Sequence, residues 1–231
     1  MKFLGVVCKM HIDTRERIED GTVQPQVSML VEDIYPRNHF AYIFAKRFFD
    51  VLFSACLLLL LWFPMLIVAA IIYLDCGGPV IYRQERLGKN GKPFMMLKYR
   101  TMRLDAEVNG PQWAEVDDPR CTNLGRFLRR CRVDELPQLW NILIGDMSFV
   151  GPRPERAYFY NEFEKTISGF RYRLRVTPGL TGLAQVNGGY DLCPEQKIVW
   201  DMEYIRKQSI WIDILCLVKT VKLIFTREGA R

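Results

Sequence analysis

Two adjacent carboxylates follow a group of arginines in the middle of the chain. Asp134 and Glu135 come directly after four arginines that are spread over seven residues, namely Arg126, Arg129, Arg130 and Arg132. Guanidinium groups hold phosphate oxygens by paired hydrogen bonds. A carboxylate can bind a hard cation or attack phosphorus itself. This combination of residue types therefore favours chemistry on a phosphate group.

The elements around these carboxylates predict a small mixed domain. Strands are predicted over residues 80–82 and 94–99, and the polar turn 88–92, which contains Asn-Gly, joins them as a β-hairpin. Helices are predicted over residues 124–132, capped by Thr122 or Asn123, and over 136–143, 156–167, 195–207 and 210–225. Asp134 and Glu135 then stand at a helix N-terminus, where negative charge is favoured and anions bind.

A long apolar segment precedes this domain. Residues 51–74 contain no charged side chain, and a helix needs roughly 20 apolar residues to span the hydrocarbon core. Pro64 lies near the middle, where a proline removes one helical hydrogen bond and favours a kink or break. Basic residues flank both ends, so the positive-inside rule gives no direction. Two alternatives stay open: an ordinary kinked span, and a helix-break-helix that enters and leaves on one face.

The net charge, the cysteines and the histidines limit the kinds of substrate and reaction that the chain can have. The net charge of +6 suits anionic lipid or phosphate substrates, and equally nucleic acid. The seven cysteines are odd in number and form no Cys-x-x-Cys pair, which predicts reduced thiols in a cytosolic environment. The two histidines, His11 and His39, precede the apolar segment. Acid–base work in the main domain therefore falls to other side chains, which argues against Ser-His and Cys-His hydrolases.

The motifs between residues 134 and 155 resemble a known family. The runs DELPQLWN from Asp134, GDMS from Gly145 and VGPRP from Val150 are similar to the bacterial sugar transferases, the monotopic phosphoglycosyl transferases. The resemblance implies an α+β, mainly helical fold with a small β-hairpin and interfacial helices, in a monotopic membrane protein whose re-entrant helix breaks at Pro64. It divides the chain into an N-terminal extension (1–45), a re-entrant membrane helix (46–75) and a cytoplasmic catalytic domain (76–231).

The resemblance also implies a reaction. Members of the family move a sugar-1-phosphate from a UDP-sugar to undecaprenyl phosphate and release UMP. This is the first membrane step of exopolysaccharide or glycan assembly, at the cytoplasmic face of the bacterial inner membrane. The family's aspartate nucleophile, which holds a covalent phosphosugar, matches Asp134, and its partner glutamate matches Glu135. Mg²⁺ is the family's metal and is expected at Asp134, whereas a homodimer is left open.

Further substrate contacts are implied on both sides of the two carboxylates. The side chains expected to contact the substrates are Lys98, Arg100, Arg129, Arg132, Gln138, Asn141, Arg153, Gln185 and Asn187. Without the resemblance, a lone arginine is more often a surface residue, and Lys98 could equally protect a strand edge. Gln138 and Asn141 could equally be helix surface. Asp201 matches a family carboxylate to which the resemblance gives a structural role.

Two other function classes remain as alternatives. A non-catalytic, membrane-anchored adaptor would use the basic face to bind anionic lipid. A nucleic-acid-binding protein would use the same face, but the chain has no interleaved aromatic residues or known module motif, and the apolar segment would have no role. No nucleic-acid partner is therefore expected. The apolar helix 210–225 either packs in the core or lies at the lipid interface with its lysines snorkelling.

Overall fold

The chain folds into a mixed helix and strand structure. The computed structural model describes residues 8–9, 16–19, 22–25, 29–36, 39–108, 110, 118–188 and 192–226. Its helices are α1 (Phe40–Cys76), α2 (Asn123–Arg130), α3 (Gln138–Ile144), α4 (Ala157–Thr166), α5 (Leu183–Val186), α6 (Pro194–Lys207) and α7 (Ile210–Thr226). Its strands are β1 (Cys8–Lys9), β2 (Glu16–Glu19), β3 (Thr22–Pro25), β4 (Met29–Val31), β5 (Ile81–Leu87), β6 (Pro93–Tyr99), β7 (Ser148–Val150), β8 (Ile167–Ser168) and β9 (Gly179–Thr181).

The apolar segment lies within one uninterrupted helix, α1, which contains Pro64. The helix ends at Gly77, whose positive φ of 69° suits glycine and whose N–H donates to the carbonyl of Tyr73 at 2.9 Å. In the described part of the chain, α1 is the one helix long and apolar enough to cross a membrane. The expected break at Pro64 is not confirmed, because a proline removes a single hydrogen bond and the other turns hold the helix. A re-entrant course stays a prediction.

One side of α1 packs against the rest of the molecule. The side chains of this packed side recur at helical spacing and are Leu57, Leu58, Leu61, Met65, Val68, Ala69, Ile72 and Cys76. Tyr99 of β6 fixes the middle of α1 by donating its hydroxyl to the carbonyl of Met65 at 2.7 Å. The opposite side, which includes Leu59 and Leu60, is exposed. Lipid can therefore cover the outer side of α1 while protein covers the inner side.

β5 and β6 form an antiparallel hairpin in the place where the sequence predicts two strands. The pairing runs from Ile81 opposite Tyr99 to Leu87 opposite Pro93. In the turn, Asn90 adopts a positive φ of 58°, a conformation that asparagine accommodates. Because side chains alternate along a strand, Lys98 falls on the same face of β6 as the buried Phe94 and Met96.

The main core lies between the C-terminal helices and a short parallel sheet. β7 pairs with β9, and α4, α6 and α7 contribute the buried Tyr160, Ile198 and Cys216. The outer side of α7 remains apolar and exposed through Ile210, Trp211, Ile214, Leu215, Val218, Val221 and Ile224. Helix α7 therefore combines both alternatives drawn from its sequence, because one side packs in the core and the other is available to lipid.

Residues 29–36 pack onto this main core. β4 pairs in parallel with β8, and Val31 and Ile34 are buried in the same hydrophobic cluster as Phe170. Arg175 fastens the segment by donating to the carbonyl of Ile34 at 2.6 Å and by pairing with Asp33 at 2.5 Å. The division of the chain at residue 45 stays a prediction, but part of the expected extension contacts the expected catalytic domain.

Candidate active site

A short turn between α2 and α3 presents the two carboxylates. Thr122 caps α2 by accepting a hydrogen bond from the Gly125 N–H at 2.9 Å. Arg132 then adopts a left-handed conformation with a φ of 58°, and a 3₁₀ turn follows over Val133–Glu135. Helix α3 begins at Gln138, two residues later than the sequence predicts. Asp134 and Glu135 therefore lie in their own turn directly before α3.

Glu135 is held by two cations. Lys98 Nζ lies 3.3 Å from Glu135 Oε1, and Arg153 Nη2 donates to the same oxygen. Burial would raise the pKa of Glu135, but the charges of Arg153 and Lys98 outweigh burial and hold the pKa well below its usual range. Glu135 therefore stays ionised and keeps both cations beside the turn.

Asp134 is buried but not engaged. Asp134 is 6% exposed. Among the described residues, no hydrogen bond or ion pair holds its carboxylate. Burial, followed by the adjacent charge of Glu135, raises the pKa of Asp134 to about 6, while Lys98 and Arg129 oppose the rise. At neutral pH the group is an ionised, poorly solvated carboxylate, which is the state of an activated nucleophile or metal ligand.

Buried polar contacts fix the arginines around Asp134. Arg129 Nε donates to Thr101 Oγ1 at 2.9 Å. The carbonyl of Arg153 accepts from Arg173 Nη2 at 2.9 Å, and Arg173 Nε pairs with Asp201 Oδ2 at 2.6 Å in a fully buried contact. The Asp201–Arg173 pair therefore positions the backbone of Arg153. No local pattern marks Arg173, because its partners are distant in the chain.

The loops that bring Arg153 to the turn approach each other very closely. A Cβ atom added to Gly179 would lie 2.0 Å from the backbone nitrogen of Gly151, a distance that a side chain cannot occupy. The Gly179 N–H also donates to the carbonyl of Pro152 at 2.9 Å. Glycine at position 179 therefore permits the backbone contact that supports Arg153 from behind.

Arg100 and Asn141, both predicted substrate contacts, form hydrogen bonds with backbone groups of the protein. The Arg100 guanidinium donates to the carbonyl of Cys76 at 2.7 Å, at the C-terminal end of α1. The Asn141 amide donates to the carbonyl of Met95 at 2.8 Å and accepts from the N–H of Leu97 at 3.0 Å. Arg100 thus holds the end of the membrane helix, and Asn141 holds the edge of β6. Direct substrate contacts stay a prediction for both residues, and Arg100 Nε and Nη1 have no hydrogen-bond partner among the described residues.

The three remaining amide side chains differ in their surroundings. Gln138 is completely buried, and neither polar atom of its amide has a hydrogen-bond partner among the described residues. Gln185 Nε2 lies 3.5 Å from the carbonyl of Gly151, in the loop that carries Arg153. Asn187 is tied to α5 and α7, because its amide donates to the Leu183 carbonyl at 2.8 Å and accepts from Lys219 at 3.1 Å. Gln138 alone thus leaves a whole buried amide unused.

The residues at this turn fit a magnesium ion that is shared with a substrate. Among the described residues, no group of three or more His, Cys, Asp or Glu side chains could enclose a metal. Magnesium at phosphoryl-transfer sites is commonly held by one or two carboxylates together with substrate phosphate oxygens and water. The unengaged oxygens of Asp134 match that partial set of ligands, so Asp134 is the residue that would hold the ion.

The fold and site define a membrane-associated domain that surrounds a buried carboxylate with lysine and arginine side chains. The sequence model of the family described as bacterial sugar transferase matches residues 41–227. The chain therefore belongs to the bacterial sugar transferase family, and the resemblance read from its motifs is confirmed.

Relatives with described activities resemble the chain over most of its length. It is 42% identical over 194 residues to the UDP-N-acetylgalactosamine-undecaprenyl-phosphate N-acetylgalactosaminephosphotransferase of Aeromonas hydrophila, covering 82% of this chain and 46% of the relative. It is 40% identical over 195 residues to the UDP-glucose:undecaprenyl-phosphate glucose-1-phosphate transferase of Xanthomonas campestris pv. campestris, covering 82% and 40%. A relative of the same name in Caulobacter vibrioides is 42% identical over 193 residues, covering 80% and 71%. The chain thus spans less than half the length of the first two relatives.

Proposed function

We propose that this chain is a phosphoglycosyl transferase that moves a sugar-1-phosphate from a UDP-sugar to undecaprenyl phosphate. The observation that supports this function is the contrast between the two adjacent carboxylates. Lys98 and Arg153 both contact Glu135 Oε1, whereas Asp134 is buried and has no hydrogen bond or ion pair to its carboxylate among the described residues. The names of the relatives support the two substrate classes, because each describes transfer onto undecaprenyl phosphate.

In the first half-reaction, a carboxylate oxygen of Asp134 attacks the phosphorus that carries the sugar. The new bond joins this oxygen to phosphorus, and the bond from phosphorus to the oxygen that bridges the two phosphates breaks. UMP leaves with that bridging oxygen, and the phosphosugar stays on Asp134 as an acyl phosphate. Arg129 and Arg153 lie near enough to influence the charge on Asp134, so they can stabilise charge on the transferred group.

In the second half-reaction, a phosphate oxygen of undecaprenyl phosphate attacks the same phosphorus. The bond to Asp134 breaks, and its carboxylate is regenerated as the leaving group. The product is a sugar joined to the lipid through a diphosphate, so no atom is lost or gained across the two steps. Magnesium bound at Asp134 would neutralise negative charge on the phosphate oxygens.

The placement proposed for the protein is the cytoplasmic face of the bacterial inner membrane, with α1 re-entrant. Both ends of α1 are fastened to the same part of the molecule. Near its start, Lys46 pairs with Asp213 of α7 at 2.8 Å, and at its end Arg100 holds the Cys76 carbonyl. A span would need these contacts on opposite sides of the bilayer, so they support entry and exit on one side. A homodimer stays a prediction.

A UMP-release assay over a panel of UDP-sugars with magnesium tests this function. Asp134→Asn should abolish UMP release from every UDP-sugar, because a neutral amide cannot form the acyl phosphate. Asp105→Asn, at an exposed position in a surface turn, is the matched control and should retain turnover. Full turnover by Asp134→Asn would contradict the role of Asp134. No UMP release by the unmodified chain from any UDP-sugar, with lipid binding independent of both Asp134 and magnesium, would favour the adaptor alternative.

A further inference from the structure

The exposed side of α3 carries an apolar strip next to the carboxylates. Trp140 and Ile144 are 52% and 53% exposed, and at 3.6 residues per turn they lie one turn apart on the same side. The other sides of α3 are covered, since Gln138, Leu139, Asn141 and Ile142 are buried. A large indole ring left uncovered on so short a buried helix indicates a surface that another molecule covers.

The strip lies on the helix that follows the turn of Asp134 and packs on α1. Helix α3 begins four residues after Asp134 and is about 10 Å long at 1.5 Å per residue. Its buried side packs against Leu57 and Leu61 of α1. At its far end, Arg47 of α1 donates to the carbonyls of Ile142 and Leu143 at 2.7 and 2.8 Å. The helix that carries the apolar strip therefore packs directly on α1, whose outer side is open to lipid.

We propose that Trp140 and Ile144 bind the first isoprene units of the lipid acceptor and so guide its phosphate to Asp134. This inference rests on the proposed function and adds the path of the acceptor's chain. The phosphate has to reach phosphorus on a buried side chain, so the carbons next to it have to cross the protein surface beside Asp134. Apolar side chains on that path keep those carbons out of water. An indole ring also suits the boundary between lipid and water.

The acceptor, rather than the bulk bilayer, is the occupant that the position of the strip favours. General attachment is already available from the outer sides of α1 and α7, which include Leu60 and Trp211. Among these exposed apolar groups, the strip on α3 is set apart by following Asp134 directly in the chain. Its loss should therefore affect acceptor use more than membrane binding.

Separate measurement of the two half-reactions tests this proposal with the full chain in lipid nanodiscs. Trp140→Ser and Ile144→Ser should each raise the KM for undecaprenyl phosphate. For Trp140→Ser we expect a rise of roughly tenfold, which corresponds to a loss of about 1.4 kcal/mol in binding free energy. The burst of UMP without acceptor should stay close to that of the unmodified chain. The effect should persist with a three-isoprene phosphate, because this short acceptor keeps the isoprene units next to the phosphate. Trp211→Ser removes an exposed indole on α7 and should leave the acceptor KM unchanged.

Three results would overturn the proposal. They are an unchanged acceptor KM in both α3 variants, an equal rise in Trp211→Ser, and a matching fall in the acceptor-free burst. A second experiment needs no turnover: a photoreactive polyprenyl phosphate with a diazirine in its second isoprene unit should label the peptide containing Trp140. Labelling there without UMP release from any UDP-sugar would refute the proposed function alone. UMP release with labelling elsewhere would refute the acceptor path alone.

Discussion

At the scale of single residues, two neighbouring carboxylates have opposite environments. Adjacent side chains in a helical turn point about 100° apart, so they cannot engage one atom from one direction. Glu135 points to Lys98 and Arg153, whereas Asp134 is buried and no described residue pairs with its carboxylate. Their pKa values move in opposite directions for this reason, a pattern that marks a division of roles in active sites.

The acceptor-free UMP burst should depend on pH through Asp134. Only the ionised carboxylate can attack, and its raised pKa is about 6. The burst should therefore be fully present above this pKa and should fall as the pH drops below about 6. The measurement is the burst rate against pH with a UDP-sugar that the chain accepts.

Substitutions of the neighbouring charges should move this acid limb in opposite directions. Lys98→Met removes a cation that lowers the pKa of Asp134, so the limb should shift to higher pH. Glu135→Gln removes the charge that raises this pKa, so the limb should shift to lower pH. Lys92→Met, in the exposed turn of the same hairpin, should leave the limb in place. Shifts of the same sign for both site variants would contradict this assignment.

The position of the two carboxylates could be predicted from the sequence better than the contacts of the residues that surround them. Asp134 and Glu135 stand in one local motif, and an alternating strand is enough to place Lys98 beside them. Arg173 was missed, and the backbone contacts that Asn141 and Arg100 make were not predicted, because the partners of all three residues lie on other elements. Asn141 bonds the edge of β6, and Arg173 bonds Asp201 and the Arg153 carbonyl. Contacts between distant parts of the chain leave no spacing pattern to read.

At the scale of elements, the fold could be predicted where the signal in the sequence is local, and not where it depends on contacts between distant parts of the chain. The hairpin and the C-terminal helices lie close to their predicted positions because turn residues and apolar spacing are local signals. The packing of residues 29–36 on the core has no such signal. Val31 and Ile34 stand on either side of the acidic pair Glu32-Asp33, and their burial depends on β8 and Arg175.

Residues 29–36 should stabilise the catalytic domain. Ile34→Ala should lower the free energy of unfolding by about 2–5 kcal/mol, the usual range for truncation of a buried isoleucine. Glu32→Ala, at an exposed position in the same segment, should change it by less than about 0.5 kcal/mol. Denaturant unfolding of the full chain in a mild detergent measures both. Equal stability of the two variants would show that the segment is not part of the folded unit.

At the scale of the whole molecule, exposed apolar surface indicates how the protein meets the membrane. The outer sides of α1 and α7 are apolar over much of their length. The inner side of α1 packs on the hairpin and on α3. A transverse span would draw this charged, packed domain into hydrocarbon, which is costly. Attachment from one side leaves the carboxylates where a soluble nucleotide and a lipid phosphate can both arrive.

Both flanks of α1 should therefore face the same side of the membrane. Protease sites inserted next to His39 and next to Gly77 should be cut together in inverted inner-membrane vesicles. Both should be protected in sealed vesicles of the opposite orientation. Detergent lysis of those vesicles is the control and should restore cleavage at each site. Cleavage at only one of the two sites in intact vesicles would establish a span and exclude the re-entrant course.

The most direct test of the account asks where the phosphosugar is held between the two half-reactions. The full chain is mixed with a UDP-sugar and magnesium but no lipid acceptor, quenched, digested and examined by mass spectrometry. We expect one sugar phosphate on Asp134, formed together with one equivalent of UMP and lost on addition of undecaprenyl phosphate. An adduct on a different side chain, or UMP release only when the lipid is present, would contradict a covalent intermediate on Asp134.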